Sequence, residues 1–253
     1  MDLISELYYR YNLFNGEKGF IGTTHCGYKI PYFKIGKGEK KIIVTSCIHA
    51  REFVTAYLSF LMMDEYKNKT LKSQLYFIPI VNIDGVKILN EIPDYKANAR
   101  GVDLNTNFPA KFGTGKFNLK KVGKENYIGK FPASEEETRA LMDFTIKTKP
   151  DLTLSLHAKG EEIYYDFFDE KLKTAHYRFA LKAQKATGYK IVENLASAGG
   201  YKDWCIHALK IPSLTIEVGE DTLSHPIEKG YARKIHKKIK RLIPYLEEEL
   251  YEK

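Results

Sequence analysis

Apolar positions recur at helical spacing over residues 2–13, 52–66, 134–147, 174–187 and 227–250, which predicts five helices. Between them lie short apolar runs with β character at 41–46, 75–82, 151–156 and 213–217. Strands alternating with helices predict an α/β domain of three layers, α/β/α, around a central mixed, mostly parallel twisted sheet. The helix over 134–147 opens on Ser134-Glu135-Glu136-Glu137, a pattern predicting a capping box in which Glu137 reaches back to the Ser134 amide. The last helix carries Tyr231, Ile235, Ile239, Leu242, Leu246 and Leu250 on one stripe, with Pro244 expected to kink or interrupt it. No internal repeat or low-complexity linker divides the chain, which reads as a single domain over residues 1–253.

Composition narrows the class. The 253 residues are 43% hydrophobic and 28% charged, which excludes a disordered or collagen-like chain. No apolar run approaches the ~18 residues of a membrane span. The N-terminal MDLISELYYRYNLF lacks a signal-peptide core, so the expected home is the cytoplasm. Cys26, Cys47 and Cys205 form no C-x-x-C pair and read as small apolar or turn residues. Forty Lys+Arg against 32 Asp+Glu give a net charge of +8, suited to acidic peptides or other polyanions. The densest basic cluster, Arg233 to Arg241, follows helical spacing and reads as a solvated face; no nucleic-acid motif accompanies it.

In a sheet of this kind, functional groups gather just past the carboxyl ends of the strands. His49 and Glu52 stand there, in the turn between the run 41–46 and the helix 52–66. An imidazole and a carboxylate three residues apart can reach one zinc ion, though the pattern is weak alone and recurs at His225 and Glu228. That second pair follows no buried strand and reads as a loop into the last helix. His157 ends the run 151–156, in which Leu152, Leu154 and Leu156 alternate with Thr153 and Ser155; Glu217 ends SLTIE. Taken singly, such a histidine is structural and such a carboxylate solvated. Their coincidence at three strand ends, with a fourth run leading into Asn82-Ile83-Asp84-Gly85, is what points to a site.

The chain resembles the zinc carboxypeptidases of the carboxypeptidase A type, the M14 peptidases. The resemblance rests on IHAREF at 48–53, VNIDG at 81–85, KANARGVDLNTNFP at 96–109, SLHAKGEEIYY at 155–165, GGYKDW at 199–204 and TIEVG at 215–219, in the family's order. It implies one Zn2+ held by His49, Glu52 and His157, with Glu217 as the general base that passes a proton from water to the leaving amine. It implies Asn105 as a contact to the substrate carboxylate and Arg51 and Asp84 as site-shaping residues. Asp84-Gly85 reads equally well as a tight turn.

Three positions depart from the family pattern. Its Asn-Arg carboxylate clamp reads Asn105-Thr106 here, and threonine cannot form the bidentate grip of a guanidinium. The carbonyl-polarising arginine aligns with Lys96 or with Arg100. The substrate-capping tyrosine falls nearest Leu195, leaving Tyr201 as a substitute, with Tyr165 also expected near the cleft. The motifs around His157, Gly199 and Asn105 are similar to one bacterial branch, which cuts the γ-D-glutamyl to diaminopimelate bond of peptidoglycan stem peptides. The expected partner is therefore an anionic stem peptide. The alternatives are a carboxypeptidase or amidohydrolase of other substrates, and a catalytically silent peptide-binding module.

Overall fold

The four apolar runs become the inner strands of a larger sheet. The computed structural model describes residues 2–167, 170–193 and 196–252. Its eight strands are β1 (Lys18–Thr23), β2 (Lys29–Ile35), β3 (Lys40–Ser46), β4 (Ser73–Ile78), β5 (Leu152–His157), β6 (Glu162–Tyr164), β7 (Lys190–Val192) and β8 (Ser213–Glu217). They lie in the order β1-β2-β4-β3-β5-β8-β6-β7. The pairs β4/β3, β3/β5, β5/β8 and β6/β7 are parallel; β1/β2, β2/β4 and β8/β6 are antiparallel. The sheet is thus mixed, with a parallel centre, as the alternation of patterns implied.

Every residue of β5 is buried, and β3 is buried from Ile42 onward. Successive side chains point to opposite faces, so burial of all of them requires helices on both sides. Val44, Leu154 and Leu214 are fully buried, and each such side chain contributes roughly 2 kcal/mol of transfer free energy.

The helices are α1 (Leu3–Leu13), α2 (Val54–Tyr66), α3 (Ile83–Ile88), α4 (Glu136–Thr148), α5 (Glu170–Thr187), α6 (Tyr201–Leu209), α7 (Tyr231–Ile239) and α8 (Leu242–Tyr251). Two expectations need correction. The Ser134 capping box does not form: Glu135 occupies the cap position, the Ser134 hydroxyl is bonded to the Glu135 carboxylate, and the Glu137 carboxylate faces Asn98 and the His25 amide. Pro244 is not the break in the last helix, which falls at Lys240-Arg241. Pro244 sits in the first turn of α8, where its missing N–H would have had no intrahelical partner.

Candidate active site

The parallel register sets the frame. Ser46 lies opposite Leu156, and His157 opposite Glu217, so β3, β5 and β8 end side by side. After β3 the chain turns sharply, with Cys47 at φ 50°, into a 3-10 turn, Ala50–Glu52, that leads to α2. Asn82, at the N-terminus of α3, pins this turn by donating to the Ile48 and Ala97 carbonyls at 3.1 and 3.0 Å. The Thr55 hydroxyl donates to the Glu52 carbonyl and accepts from the Cys47 amide. These bonds fix where His49 and Glu52 point.

His49, Glu52 and His157 converge in the buried space at the strand ends. The Glu52 carboxylate is 2.7 Å from His49 Nδ1 and 3.0 Å from His157 Nδ1, and the two Nδ1 atoms are 3.2 Å apart. Two imidazole nitrogens and a carboxylate, all within 4.8 Å of one another, make one of two His/Cys/Asp/Glu groups among the described residues that could hold a metal. The other, Glu135-Glu136-Glu137, is occupied by Arg100 and Asn98. The His-Glu-His donor set suits zinc, because His49 keeps Nδ1 inward while Nε2 faces the Asp103 carboxylate at 3.1 Å. Burial acts to raise the Glu52 carboxyl, but His49 and His157 outweigh it and hold Glu52 well below the usual range. Burial likewise opposes ionisation of Asp103, yet Lys96 and His49 hold it far below a normal carboxylate.

Asp103 carries no signal of its own in the sequence, although it stands in the stretch GVDLN at 101–105. It is fully buried, hydrogen-bonded to His49 through one oxygen and ion-paired with Lys96 Nζ at 2.7 Å through the other. The structure therefore separates the two candidate cations. Lys96 is at the site; Arg100 is not, since its guanidinium is taken by Glu135, Glu136 and the Ser134 carbonyl. Glu217 lies beside the group at the end of β8, opposite Glu162 of β6. Burial pushes its carboxyl up to about 8; Glu52 and Glu162 add to the rise, while His157 and Lys96 oppose it.

The remaining expectations divide. Asn105 sits in a 3-10 turn, Leu104–Thr106, and its amide oxygen accepts from the Tyr201 amide at 3.0 Å. Its amide nitrogen is left as a donor. The Thr106 hydroxyl donates to the Asp103 carbonyl, so its proton is already committed. Gly199 makes this approach feasible: it has φ +86°, and a Cβ there would meet the Thr106 carbonyl oxygen at 2.5 Å. Arg51 pairs with Glu125 at 3.0 Å. Asp84 accepts from the Thr24 hydroxyl and the Cys26 amide, supporting that turn from the start of α3. Tyr201 does not face the cleft: it is fully buried, its hydroxyl shared with Thr145. Tyr165 is buried too, one step past the Tyr164–Thr215 pairing and so toward the amino end of β8, away from Glu217. Leu195 lies outside the described residues. A cavity of about 1050 Å3, lined by α1, β2 and the end of α2, contains none of these residues.

The network holding the 96–103 segment carries a titrating group. Glu137 is fully buried, 3.3 Å from Asn98 Nδ2, and burial, with Asp84 adding, pushes its carboxyl up to about 7. A folded-state value above the unfolded one favours the fold while both states are protonated, below about 4.5, and that contribution is lost as pH rises through 7. The shift corresponds to about 3 kcal/mol. Thermal melts of the wild type and Glu137→Gln between pH 4.5 and 8 should therefore diverge, the wild type losing more stability across that window. Parallel curves would remove the assignment.

Residues 17–250 match the family model described as zinc carboxypeptidase, Peptidase_M14. The chain is 28% identical over 245 residues to gamma-D-glutamyl-L-diamino acid endopeptidase 1 of Lysinibacillus sphaericus, covering 82% of this chain and 61% of that protein. It spans 60–64% of the length of the first curated relatives it matches. Among solved structures it superposes on bovine thrombin-activatable fibrinolysis inhibitor, bound there to tick carboxypeptidase inhibitor, with TM-score 0.82 and 21% identity over 99% of this chain and 96% of the other. The murein-tripeptide amidase MpaA from Escherichia coli O157 gives TM-score 0.64 and 21% identity over 92% of each chain. At these identities the two structures establish a shared fold.

Proposed function

The chain belongs to the zinc carboxypeptidase family, and from that membership we propose that it is a zinc-dependent peptidase acting on the γ-D-glutamyl to diaminopimelate bond of peptidoglycan stem peptides. One observation carries the hydrolytic part: the convergence of His49 Nδ1, His157 Nδ1 and the Glu52 carboxylate beside Glu217 at adjoining strand ends. His49, Glu52 and His157 would hold the metal. Bound there, zinc supplies Lewis acidity that lowers the pKa of water and polarises a carbonyl.

The chain's own residues supply the rest. Glu217 removes a proton from the attacking water and delivers it to the leaving amine. Asp103 fixes the His49 tautomer by accepting from Nε2, leaving Nδ1 free to bind. Lys96, held by Asp103, places a positive charge where a developing oxyanion needs one. Asn105 offers its amide nitrogen to a substrate oxygen.

The substrate choice has three supports. The Lysinibacillus relative is named for γ-D-glutamyl-L-diamino acid cleavage. Thr106 also leaves the turn after Asn105 without a guanidinium, so an ordinary C-terminal carboxylate loses its fork of donors. A basic chain suits an anionic stem peptide. The test is incubation of zinc-loaded protein with L-Ala-γ-D-Glu-meso-diaminopimelate and measurement of free diaminopimelate. Release of diaminopimelate is expected. Its absence, in protein that trims ordinary peptides from the C-terminus, would replace this substrate class with that of a common carboxypeptidase.

A further inference from the structure

His225 belongs to neither metal-competent group and stands in the loop between β8 and α7. That loop is fastened to the segment following His157. The Gly160 amide donates to the Gly219 carbonyl at 2.9 Å, and Lys159 Nζ reaches the Asp221 carboxylate at 2.9 Å. Two residues beyond His225, Ile227 is buried in the core, within van der Waals reach of Gly219. The first part of the loop, residues 218–221, therefore lies against the segment that follows β5, next to Glu217.

The imidazole of His225 is partly buried, and Nδ1 is closed off from solvent with no hydrogen-bond partner among the described residues. Nor does Nε2 have one. A polar ring turned inward without a protein partner is a group left for something else to satisfy. The charges acting on it belong to the candidate site: Glu52, Arg51 and His49 on the β3–α2 turn, and Lys159 next to Ala158 and His157. Arg51, in the 3-10 turn Ala50–Glu52, likewise has a buried Nε without a hydrogen-bond partner among the described residues. Burial moves the His225 imidazole below its ordinary value and so favours the uncharged ring, which has one nitrogen to donate and one to accept.

We propose that His225 is a substrate-contacting residue, hydrogen-bonding an amide or carboxylate oxygen of the bound peptide. The inference rests on the peptidase reading and extends it to a residue outside the metal group.

The test uses the full chain, zinc-loaded and carrying Glu217→Gln to prevent turnover. Calorimetric binding is measured for L-Ala-γ-D-Glu-meso-diaminopimelate and for benzoyl-Gly-Phe as a second probe. Adding His225→Phe, which keeps a ring and removes both nitrogens, should weaken binding about tenfold, and His225→Gln should recover it to within about threefold. Zinc content and thermal midpoint should match the parent in both. Unchanged affinity in the phenylalanine variant overturns the proposal. Equal weakening in both variants with a lowered midpoint marks a packing role and overturns it as well. Binding of benzoyl-Gly-Phe alone would remove the γ-D-glutamyl substrate while leaving His225 to be judged on that probe. Binding of neither would remove both readings.

Discussion

Glu217→Gln should lower kcat on the stem tripeptide by about 10^3–10^4-fold while leaving zinc content at the wild-type level. The side chain ends β8 directly opposite His157, close to the metal-competent group without belonging to it. Glutamine keeps the shape and the hydrogen-bonding capacity but can neither take nor return a proton. Its effect on the fold has the opposite sign. Burial raises the Glu217 carboxyl to about 8 in the zinc-free protein, so its stabilising contribution is present below about 4.5 and lost as pH rises through 8. At pH 8 and above, the zinc-free Gln variant should melt no lower than the wild type. A dead enzyme that is at least as stable identifies a chemical role. Turnover within tenfold of the wild type would assign the base elsewhere.

What the sequence makes legible follows from how local each signal is. β3, β5 and β8 are short runs of apolar residues and small hydroxyl residues, buried on both faces, and the polar residues at or just past their carboxyl ends are readable as a site for that reason. β1, β2, β6 and β7 went unread. β1 is a half-exposed edge strand whose burial never settles into alternation, and β6 and β7 are three residues each. Their assignment depends on neighbours, not on their own pattern.

Asp103 escaped notice because its partner His49 is 54 residues away, and an aspartate in a loop advertises nothing until that partner is placed. The ambiguity between Lys96 and Arg100 was of the same kind. Both are cations on one short segment, and only the location of Asp103 against that of Glu135 separates them. Tyr201 was expected in the cleft because of its motif. The helix that starts at Tyr201 instead turns its first ring inward, into a cluster with Phe108 and Trp204.

His157→Ala should reduce bound zinc from about one per chain to near zero, as measured by elemental analysis of dialysed protein. The alanine leaves two protein donors, His49 and Glu52, where a catalytic zinc site uses three. It also strips the buried Glu52 carboxylate of one of the two imidazoles that hold it ionised. Asp103→Asn should have a graded effect, weakening zinc about 10–100-fold, because His49 keeps its place but loses the carboxylate that fixes its tautomer. Melting curves supply an independent readout. A ligand that binds only the folded state adds RT ln(1 + [L]/Kd), about 4 kcal/mol at a thousandfold excess over Kd. Added zinc should therefore raise the wild-type midpoint, raise that of Asp103→Asn less, and leave His157→Ala unmoved. Zinc retained at full stoichiometry in His157→Ala would break the ligand set. A wild-type chain that takes up no zinc on titration would remove the hydrolytic mechanism altogether, and with it the roles given to Glu217 and Lys96.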